Sequence, residues 1–164
     1  MSVNLLCTGK MVHVSIIGTG NMGGALVKGL ARGGDHRVTA IDADPDALDA
    51  IDEHSEATST DLTAAQDSPV VVLAVKPDTV AVVLEELDLS GDQTLVTIAA
   101  GVSTDFVSAR TDATVVRIMP NLAAETGDMA AAVTQGELTD DVRELLDDVG
   151  RSEERRVGKE CPSP

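Results

Sequence analysis

The sequence predicts an α/β fold in which a doubly wound, mainly parallel sheet carries helices on both faces. Two observations predict it. Short apolar runs of strand length alternate with longer runs of helix length, and the strand-like runs are continuously apolar instead of alternating with polar residues. Continuous apolarity indicates that both faces of the sheet are covered, as in sheets built from βαβ units. With 164 residues, 43% of them hydrophobic, the chain is expected to form one such domain.

Five strands and five helices are predicted in alternation. The strands are rich in β-branched residues, and they are predicted at residues 12–17, 38–41, 70–75, 94–98 and 114–119. The helices are predicted at residues 22–32, 45–53, 78–88, 103–110 and 138–149. Pro45 follows Asp44 as a first-turn proline follows an N-cap, and Thr139 is followed by acidic residues that suit a helix N-terminus.

A glycine-rich loop directly follows the first strand and opens the first helix. It reads Gly18-Thr19-Gly20-Asn21-Met22-Gly23. In such a loop the first glycine permits a tight turn, the second lets the backbone approach a pyrophosphate, and the third allows the helix to pack closely on the strand. The motif alone is weak, but its position between a strand and a helix predicts a Rossmann-type dinucleotide site. A glycine turn that holds no ligand is the alternative.

Asp42 ends the second strand, nineteen residues after Gly23. A carboxylate at this place can accept a hydrogen bond from the 2′-hydroxyl of an adenosine ribose. Asp44 and Asp46 follow it and would repel a 2′-phosphate, so the segment favours NAD over NADP. The alternative is that Asp42 belongs only to a generally acidic surface, and screening in molar salt leaves the use of both cofactors open.

Three further segments follow predicted strands and are expected in the same crevice, because ligands of doubly wound sheets bind outside the carboxyl ends of the strands. They are Ala74-Val75-Lys76-Pro77, Ile98-Ala99-Ala100-Gly101 and Met119-Pro120-Asn121. Lys76 offers a donor to a cofactor hydroxyl or a substrate carboxylate, or else is a solvated lysine. Asn121 offers an amide to the nicotinamide or the substrate, or else caps a turn.

No catalytic residue and no metal ligand is predicted. His13 lies inside the first strand, and His36 and His54 have no partners at the spacing of a metal site or a nucleophile triad. The chemistry is therefore expected to come from a bound cofactor.

Composition excludes several classes of protein. The 28 acidic and 12 basic residues give a formal net charge of −16, which would repel nucleic acid or an anionic membrane. No apolar stretch approaches the ~20 residues of a membrane span. Cys7 and Cys161 lie outside the patterned region, so a reducing, cytoplasmic location is expected. Asp exceeds Glu and lysine is scarce, which indicates a salt-adapted, halophilic surface, with an ordinary acidic protein as the alternative.

The two ends of the chain differ from the middle. Residues 1–10 precede the first patterned strand and are expected to be an N-terminal extension, so that either Met1 or Met11 is the start. Residues 151–164 carry four of the twelve basic residues, in contrast to the acidic remainder. We therefore predict a dinucleotide-binding domain over residues 11–150 and a foreign or disordered tail over residues 151–164.

Residues 11–149 resemble the N-terminal domain of pyrroline-5-carboxylate reductase, the last enzyme of proline synthesis. The segments GTGNMGGAL, VVLAVKP, TIAAGVS and VVRIMPNLAAETGDMAAAV carry the resemblance. The AVKP and R-x-MPN segments are more specific than the glycine loop, which related dehydrogenases share. The resemblance implies transfer of hydride from NADPH or NADH to the C=N carbon of the substrate 1-pyrroline-5-carboxylate, giving L-proline.

The resemblance also implies the placing of the cofactor. Ile17–Met22 would hold the pyrophosphate, Ala74–Pro77 and Ile98–Ala100 the nicotinamide ribose side, and Met119–Asn121 the nicotinamide face near the substrate. Two departures concern the ribose and adenine contacts. The family often prefers NADPH and has polar or basic residues after the second strand, whereas this chain has Asp42-Ala43-Asp44 there. Asp61 replaces an asparagine that is frequent in the family.

The family continues into a helical C-terminal domain that builds the dimer and much of the substrate pocket. Here the discordant tail begins at Arg151 instead. We therefore expect a fragment that binds cofactor, turns over weakly or not at all alone, and forms a homo-oligomer only together with that domain. The alternatives are a stand-alone NAD(H)-binding module without catalysis and another oxidoreductase, such as a coenzyme F420-dependent NADP reductase or a β-hydroxyacid dehydrogenase.

Overall fold

The computed structural model describes residues 11–33, 36–99, 101–120, 129–135 and 139–154. In these ranges the chain forms one eight-stranded sheet with the strand order β3-β2-β1-β4-β5-β6-β7-β8. The strands are His13–Ile17 (β1), Arg37–Ile41 (β2), Ala57–Ser59 (β3), Val70–Leu73 (β4), Thr94–Thr97 (β5), Thr114–Pro120 (β6), Met129–Gln135 (β7) and Gly150–Glu154 (β8).

Six neighbouring strands of the sheet, β3-β2-β1-β4-β5-β6, are all parallel, which confirms the predicted mainly parallel sheet. β7 then runs antiparallel to β6, and β8 runs parallel to β7. The chain order reverses beside β1, which pairs with β2 on one side and with β4 on the other. Ile17 pairs with both Ile41 and Leu73, so the carboxyl ends of these three strands lie level. Such a reversal opens a crevice at that edge of the sheet.

Five α-helices connect the strands: Asn21–Gly33 (α1), Pro45–Asp49 (α2), Val80–Glu86 (α3), Thr104–Ser108 (α4) and Asp140–Val149 (α5). Side chains cap three of them. Asp44 accepts from the backbone N–H of Asp46 at 3.0 Å, Ser103 accepts from that of Phe106 at 3.1 Å, and Thr139 accepts from that of Val142 at 3.3 Å.

Four helices are shorter than the sequence predicts. Those predicted at 103–110 and 138–149 span Thr104–Ser108 and Asp140–Val149, and 3₁₀ turns take part of the other two. The predicted helix at 45–53 ends at Asp49 and is followed by a 3₁₀ turn, Asp52–His54. Between them Ile51 leaves helical geometry, with a φ of −122°, and its side chain is buried in the core. The predicted helix at 78–88 begins with a 3₁₀ turn, Pro77–Thr79, before α3.

Alternate strand residues enter two separate cores, one on each face. Val14 and Ile16 point to the core that α1 and α5 cover, while Val71 and Leu73 point to the core that α3 and α4 cover. This two-sided burial confirms the doubly wound class and explains why the strands are continuously apolar.

Three strands were not predicted. β3 has three residues, of which one is exposed and two are half-buried, and β7 is rich in alanine. β8 includes residues 151–154 of the segment predicted to be foreign or disordered, and these residues pair with β7 instead. Residues 1–10 and 155–164 lie outside the described residues, so the predicted extension and the origin of the tail stay predictions. Within the described ranges, no helix combines the length and apolarity that crossing a bilayer requires.

Candidate dinucleotide-binding site

A cleft of about 890 Å³ opens at the carboxyl ends of β1, β2 and β4, beside the reversal of strand order. Its walls come from the glycine loop, the residues after β2, the residues after β3, the residues after β4 and one face of α3. The lining residues are Ile17, Gly18, Gly20, Ile41, Asp42, Ala43, Thr60, Asp61, Leu62, Thr63, Ala74, Val75, Lys76, Thr79, Val82, Val83 and Glu86.

Each of the three loop glycines lacks a side chain for a different structural reason. Gly18 has a φ of +95°, and a Cβ there would lie 2.8 Å from the carbonyl oxygen of Ala74. At Gly23 a Cβ would overlap the backbone of Gly18. At Gly20 a Cβ would meet nothing within 4 Å, so this position faces open space in the cleft. The loop therefore fits the predicted roles of tight turn, close packing and free approach by a ligand.

The first turn of α1 is suited to an anion. The helix begins at Asn21 beside Gly20, and its first hydrogen bond runs from the N–H of Gly24 to the carbonyl oxygen of Gly20 at 2.8 Å. The first N–H groups of a helix have no acceptor inside it. The first turn has no acidic residue, so no carboxylate of α1 itself opposes an anion at this end. Arg32 lies in the last turn, at the opposite end of the helix. A pyrophosphate fits this place.

Asp42 is tied to the glycine loop. Its Oδ2 accepts hydrogen bonds from the backbone N–H of Thr19 at 2.8 Å and from the Thr19 hydroxyl at 2.9 Å. Its Oδ1 accepts from the backbone N–H of Asp44 at 2.9 Å. Partial burial alone would raise the pKa of Asp42, but the hydrogen bonds from Asp44 and Thr19 outweigh burial, and the net pKa lies below its ordinary value. The carboxylate is therefore held ionised and in one orientation.

The wall beside Asp42 is acidic. Asp61 lines it, caps the following 3₁₀ helix by accepting from the backbone N–H of Thr63 at 3.0 Å, and has a pKa lowered by that bond. Asp44, next to the lining residue Ala43, is also exposed. Among the residues described by the structure that line the cleft, Lys76 carries the one basic side chain. It follows β4, which β1 separates from β2, so its backbone stands two strand spacings, roughly 10 Å, from the end of β2.

The structure brings some predicted site residues together and leaves others apart. Seven line the cleft: Ile17, Gly18, Gly20, Asp42, Ala74, Val75 and Lys76. Thr19, Asn21, Met22 and Gly23 belong to the loop and the helix start behind it, and Pro77 begins the next 3₁₀ turn. Ile98, Ala99 and Met119 lie at the ends of β5 and β6 and do not line the cleft. Pro120 ends β6, while Ala100 and Asn121 lie outside the described residues.

Two parts of the lining were not predicted from the sequence. The first is the wall at residues 60–63, of which only Asp61 had been noted, and the second is Thr79 with the face of α3 at Val82, Val83 and Glu86. The first follows β3, whose three residues gave no strand signal. The second could have been found from the predicted helix after Lys76, because a helix that follows a strand starts at the edge of the sheet where ligands bind. In the structure Val82, although apolar, is 54% exposed on this helix.

A parallel sheet with a glycine loop at the reversal of strand order defines the class of dinucleotide-binding α/β domains. Residues 13–101 match the model of the family described as NADP oxidoreductase, coenzyme F420-dependent, and the chain belongs to this family.

Similar proteins carry a more specific name. The chain is 34% identical over 158 residues to a pyrroline-5-carboxylate reductase of Mycobacterium leprae, covering 86% of this chain and 54% of that protein. It resembles the crystal structure of the 1-pyrroline-5-carboxylate reductase from Streptococcus pyogenes with a TM-score of 0.75 and 25% identity, covering 87% of this chain and 57% of the other. The pyrroline carboxylate reductase of Plasmodium falciparum, solved with NADP bound, has the same fold, with a TM-score of 0.74 at 18% identity over 90% of this chain and 59% of the other. The chain spans about half the length of the curated relatives it matches.

Proposed function

We propose that this chain is the dinucleotide-binding domain of a pyrroline-5-carboxylate reductase, which reduces 1-pyrroline-5-carboxylate to L-proline with NADPH or NADH. The observation that carries the proposal is the identity of 34% to a reductase of that name over 86% of the chain. The AVKP and R-x-MPN segments noted in the sequence support it further, because they distinguish this reductase from related dehydrogenases.

The geometry of the cleft supports binding of the cofactor at particular residues. Gly20 and the first turn of α1 would receive the pyrophosphate, and Asp42 would contact the adenosine ribose. Ala74–Pro77 and Ile98–Ala100 would lie along the nicotinamide ribose, and Met119–Asn121 near the nicotinamide face, as the resemblance implies.

The chain's own residues contribute binding and orientation to the proposed reaction. When bound, the reduced nicotinamide supplies the hydride for the C=N carbon of the substrate. The apolar residues Ile17, Val75 and Val83 line the cleft and would exclude water from it. No catalytic side chain is assigned.

The proposal is tested by binding first and turnover second. Fluorescence of NADH and NADPH is titrated with the chain, a clean measurement because the protein has no Trp or Tyr. Oxidation of the preferred dinucleotide is then followed with 1-pyrroline-5-carboxylate and, as a control, with an open-chain imine. Saturable binding together with turnover that prefers the cyclic imine supports the proposal, while a folded chain that binds neither dinucleotide contradicts it. Because the chain spans only about half of its relatives, absence of turnover with intact binding limits the function to cofactor binding.

A second candidate function comes from the description of the family, which names coenzyme F420. The family model covers the dinucleotide-binding residues 13–101 and leaves out the segment R-x-MPN that the reductase resemblance includes. Reduction of NADP⁺ by reduced coenzyme F420, measured on the same preparation, separates the two. Oxidation of the flavin-like coenzyme without turnover of the cyclic imine would favour the second candidate.

The wider predictions follow from composition. The net charge of −16 supports a small-molecule substrate and opposes a nucleic-acid partner. The cytoplasmic location, the salt-adapted surface and the homo-oligomer stay predictions.

A further inference from the structure

We propose that the cleft selects NAD(H) against NADP(H), with the Asp42 carboxylate as the residue that determines the preference. This inference rests on the proposed function, because it assumes that the cleft binds a nicotinamide dinucleotide. It opposes the cofactor named in the family description, and the opposition comes from the residues of this chain.

Asp42 lies where the adenosine ribose of a bound dinucleotide is expected. A dinucleotide whose pyrophosphate lies at the glycine loop has its adenosine ribose at the end of the second strand, where Asp42 lines the cleft. NAD and NADP differ at this ribose alone, where one has a 2′-hydroxyl and the other a 2′-phosphate. A phosphate monoester carries roughly −1.5 to −2 charges near neutral pH.

The hydrogen bonds that Asp42 could make differ between the two dinucleotides. Oδ2 accepts two hydrogen bonds from Thr19, and Oδ1 accepts one from Asp44. A carboxylate is an acceptor only, so it can take a further hydrogen bond from a ribose hydroxyl. It can take none from an ionised phosphate, which has no proton to donate.

The Asp42 carboxylate is held in one orientation and stays charged. Thr19 holds Oδ2 with two hydrogen bonds, so the carboxylate cannot turn away from a phosphate without breaking both. The lowered pKa keeps the group ionised at neutral pH, so protonation does not relieve the repulsion either.

The described residues place no compensating cation at this wall. Ala43 and Asp61 line the cleft beside Asp42, and exposed Asp44 adjoins them. Among the described residues that line the cleft, Lys76 is the one basic residue, and β1 separates its strand from that of Asp42. A phosphate placed at Asp42 would therefore face carboxylates at close range.

The test measures dissociation constants of NADH and NADPH for the wild-type chain, two variants and one control variant, under one KCl concentration at which circular dichroism shows all of them folded. The wild type is expected to bind NADH at least about tenfold more tightly than NADPH. Asp42→Asn removes the charge and should bring the two constants closer, mainly by tightening NADPH. Asp92→Asn, an exposed position just before β5 and outside the cleft, is the matched control and should leave the ratio unchanged.

Ala43→Arg is the second variant. It leaves Asp42 and its hydrogen bonds in place, so a loss of folding in Asp42→Asn does not affect this part of the test. Ala43 is exposed and lines the cleft, so an arginine there supplies the missing cation next to Asp42. We expect NADPH to gain about tenfold or more relative to NADH. Because ionic screening shortens from about 10 Å at 0.1 M to about 3 Å at 1 M salt, the wild-type ratio should also fall as KCl rises.

The outcomes separate the inference from the proposed function. NADPH binding as tight as NADH binding, or tighter, overturns the inference and leaves the proposed function standing. A ratio that Ala43→Arg and Asp42→Asn both leave unchanged also overturns it, since the preference would then arise elsewhere. A folded chain that binds neither dinucleotide removes both proposals.

Discussion

Asp42 accepts two hydrogen bonds from Thr19, one from the backbone N–H at 2.8 Å and one from the hydroxyl at 2.9 Å. These bonds join the end of β2 to the glycine loop after β1. The same carboxylate therefore fixes the loop and lines the cleft. Its charge is expected to affect the stability of the fold and, under the selectivity proposed above, the choice of ligand.

The first prediction concerns stability and pH. Asp42→Asn should lower the free energy of unfolding at neutral pH by about 1–2 kcal/mol. Thr19 and Asp44 donate hydrogen bonds to both carboxylate oxygens, and an amide would turn an NH₂ group toward one of these donors. The folded-state pKa of Asp42 lies below its ordinary value of 3.8, so the stabilisation is present above that value and is lost as pH falls through the folded-state pKa. The difference between wild type and variant should therefore shrink at low pH.

Urea denaturation at a series of pH values measures this difference, with Asp92→Asn as the control for the loss of one acidic side chain. A difference that is constant down to pH values well below 3.8 would contradict the proposed ionic role. Since Asp42 is partly exposed, the effect should also weaken in molar salt.

The second prediction separates the glycines of the loop. Gly20→Ala should leave stability nearly unchanged but weaken dinucleotide binding about tenfold or more, because the added methyl group enters the cleft where an anion approaches. Gly18→Ala should lower the free energy of unfolding by about 1–3 kcal/mol, because its φ of +95° is strained for alanine and its Cβ meets Ala74.

Thermal unfolding and NADH titration of both variants check this difference. Gly91→Ala is the control, since a Cβ there lies at an ordinary 3.7 Å from the carbonyl oxygen of Asp112. If Gly20→Ala unfolds the chain, or Gly18→Ala is as stable as the wild type, the assignment of roles within the loop is wrong.

The sequence was sufficient to predict the centre of the sheet. β1, β2, β4 and β5 are buried on both faces over most of their length, so each has an apolar run that differs from its surroundings. β6 buries Val116 and Ile118 on one face and leaves Met119 44% exposed on the other, but its run of β-branched residues gave the same signal. β3 and β7 lack that signal, one because it is short and half-exposed, the other because it is rich in alanine.

The candidate site was predicted only in part, for a related reason. Gly18 and Asp42 were found because each follows a recognisable strand at the spacing of a dinucleotide site. The bond between Thr19 and Asp42 depends on the register of β1 with β2, in which Ile17 pairs with Ile41 and brings the two following segments side by side. Register depends on how the apolar residues of two strands match across the sheet and on the connection between them, and the spacing of residues along the chain does not contain it.

The third prediction concerns a buried polar pair away from the cleft. The Oγ atoms of Ser15 and Ser68 lie 2.6 Å apart, and both residues are at most 1% exposed. Ser15→Ala and Ser68→Ala should each destabilise the fold by about 1–2 kcal/mol, since each leaves a buried hydroxyl with fewer partners. The double variant should cost less than the sum, with a coupling of about 1 kcal/mol.

A double-mutant cycle by chemical denaturation measures this coupling, and NADH titration of the same variants is the control. The affinity for NADH should stay unchanged, because Ser68 precedes β4 and so lies toward the edge of the sheet opposite the cleft. Additive effects of the two substitutions would show that the two hydroxyls do not interact.

The fourth prediction concerns Lys76, a basic residue in the described lining of the cleft. Lys76→Gln should weaken NADH and NADPH by a similar factor, on the order of threefold to tenfold, because the ammonium group would attract parts that both dinucleotides share. Arg37→Gln removes the same charge at the other end of β2, where Arg37 pairs with Glu56 at 2.9 Å, and should change neither affinity. Titrations of both variants with both dinucleotides measure these factors. A loss confined to NADPH would mean that Lys76 reaches the 2′-phosphate across β1, and the selectivity assigned to Asp42 would then have to be withdrawn.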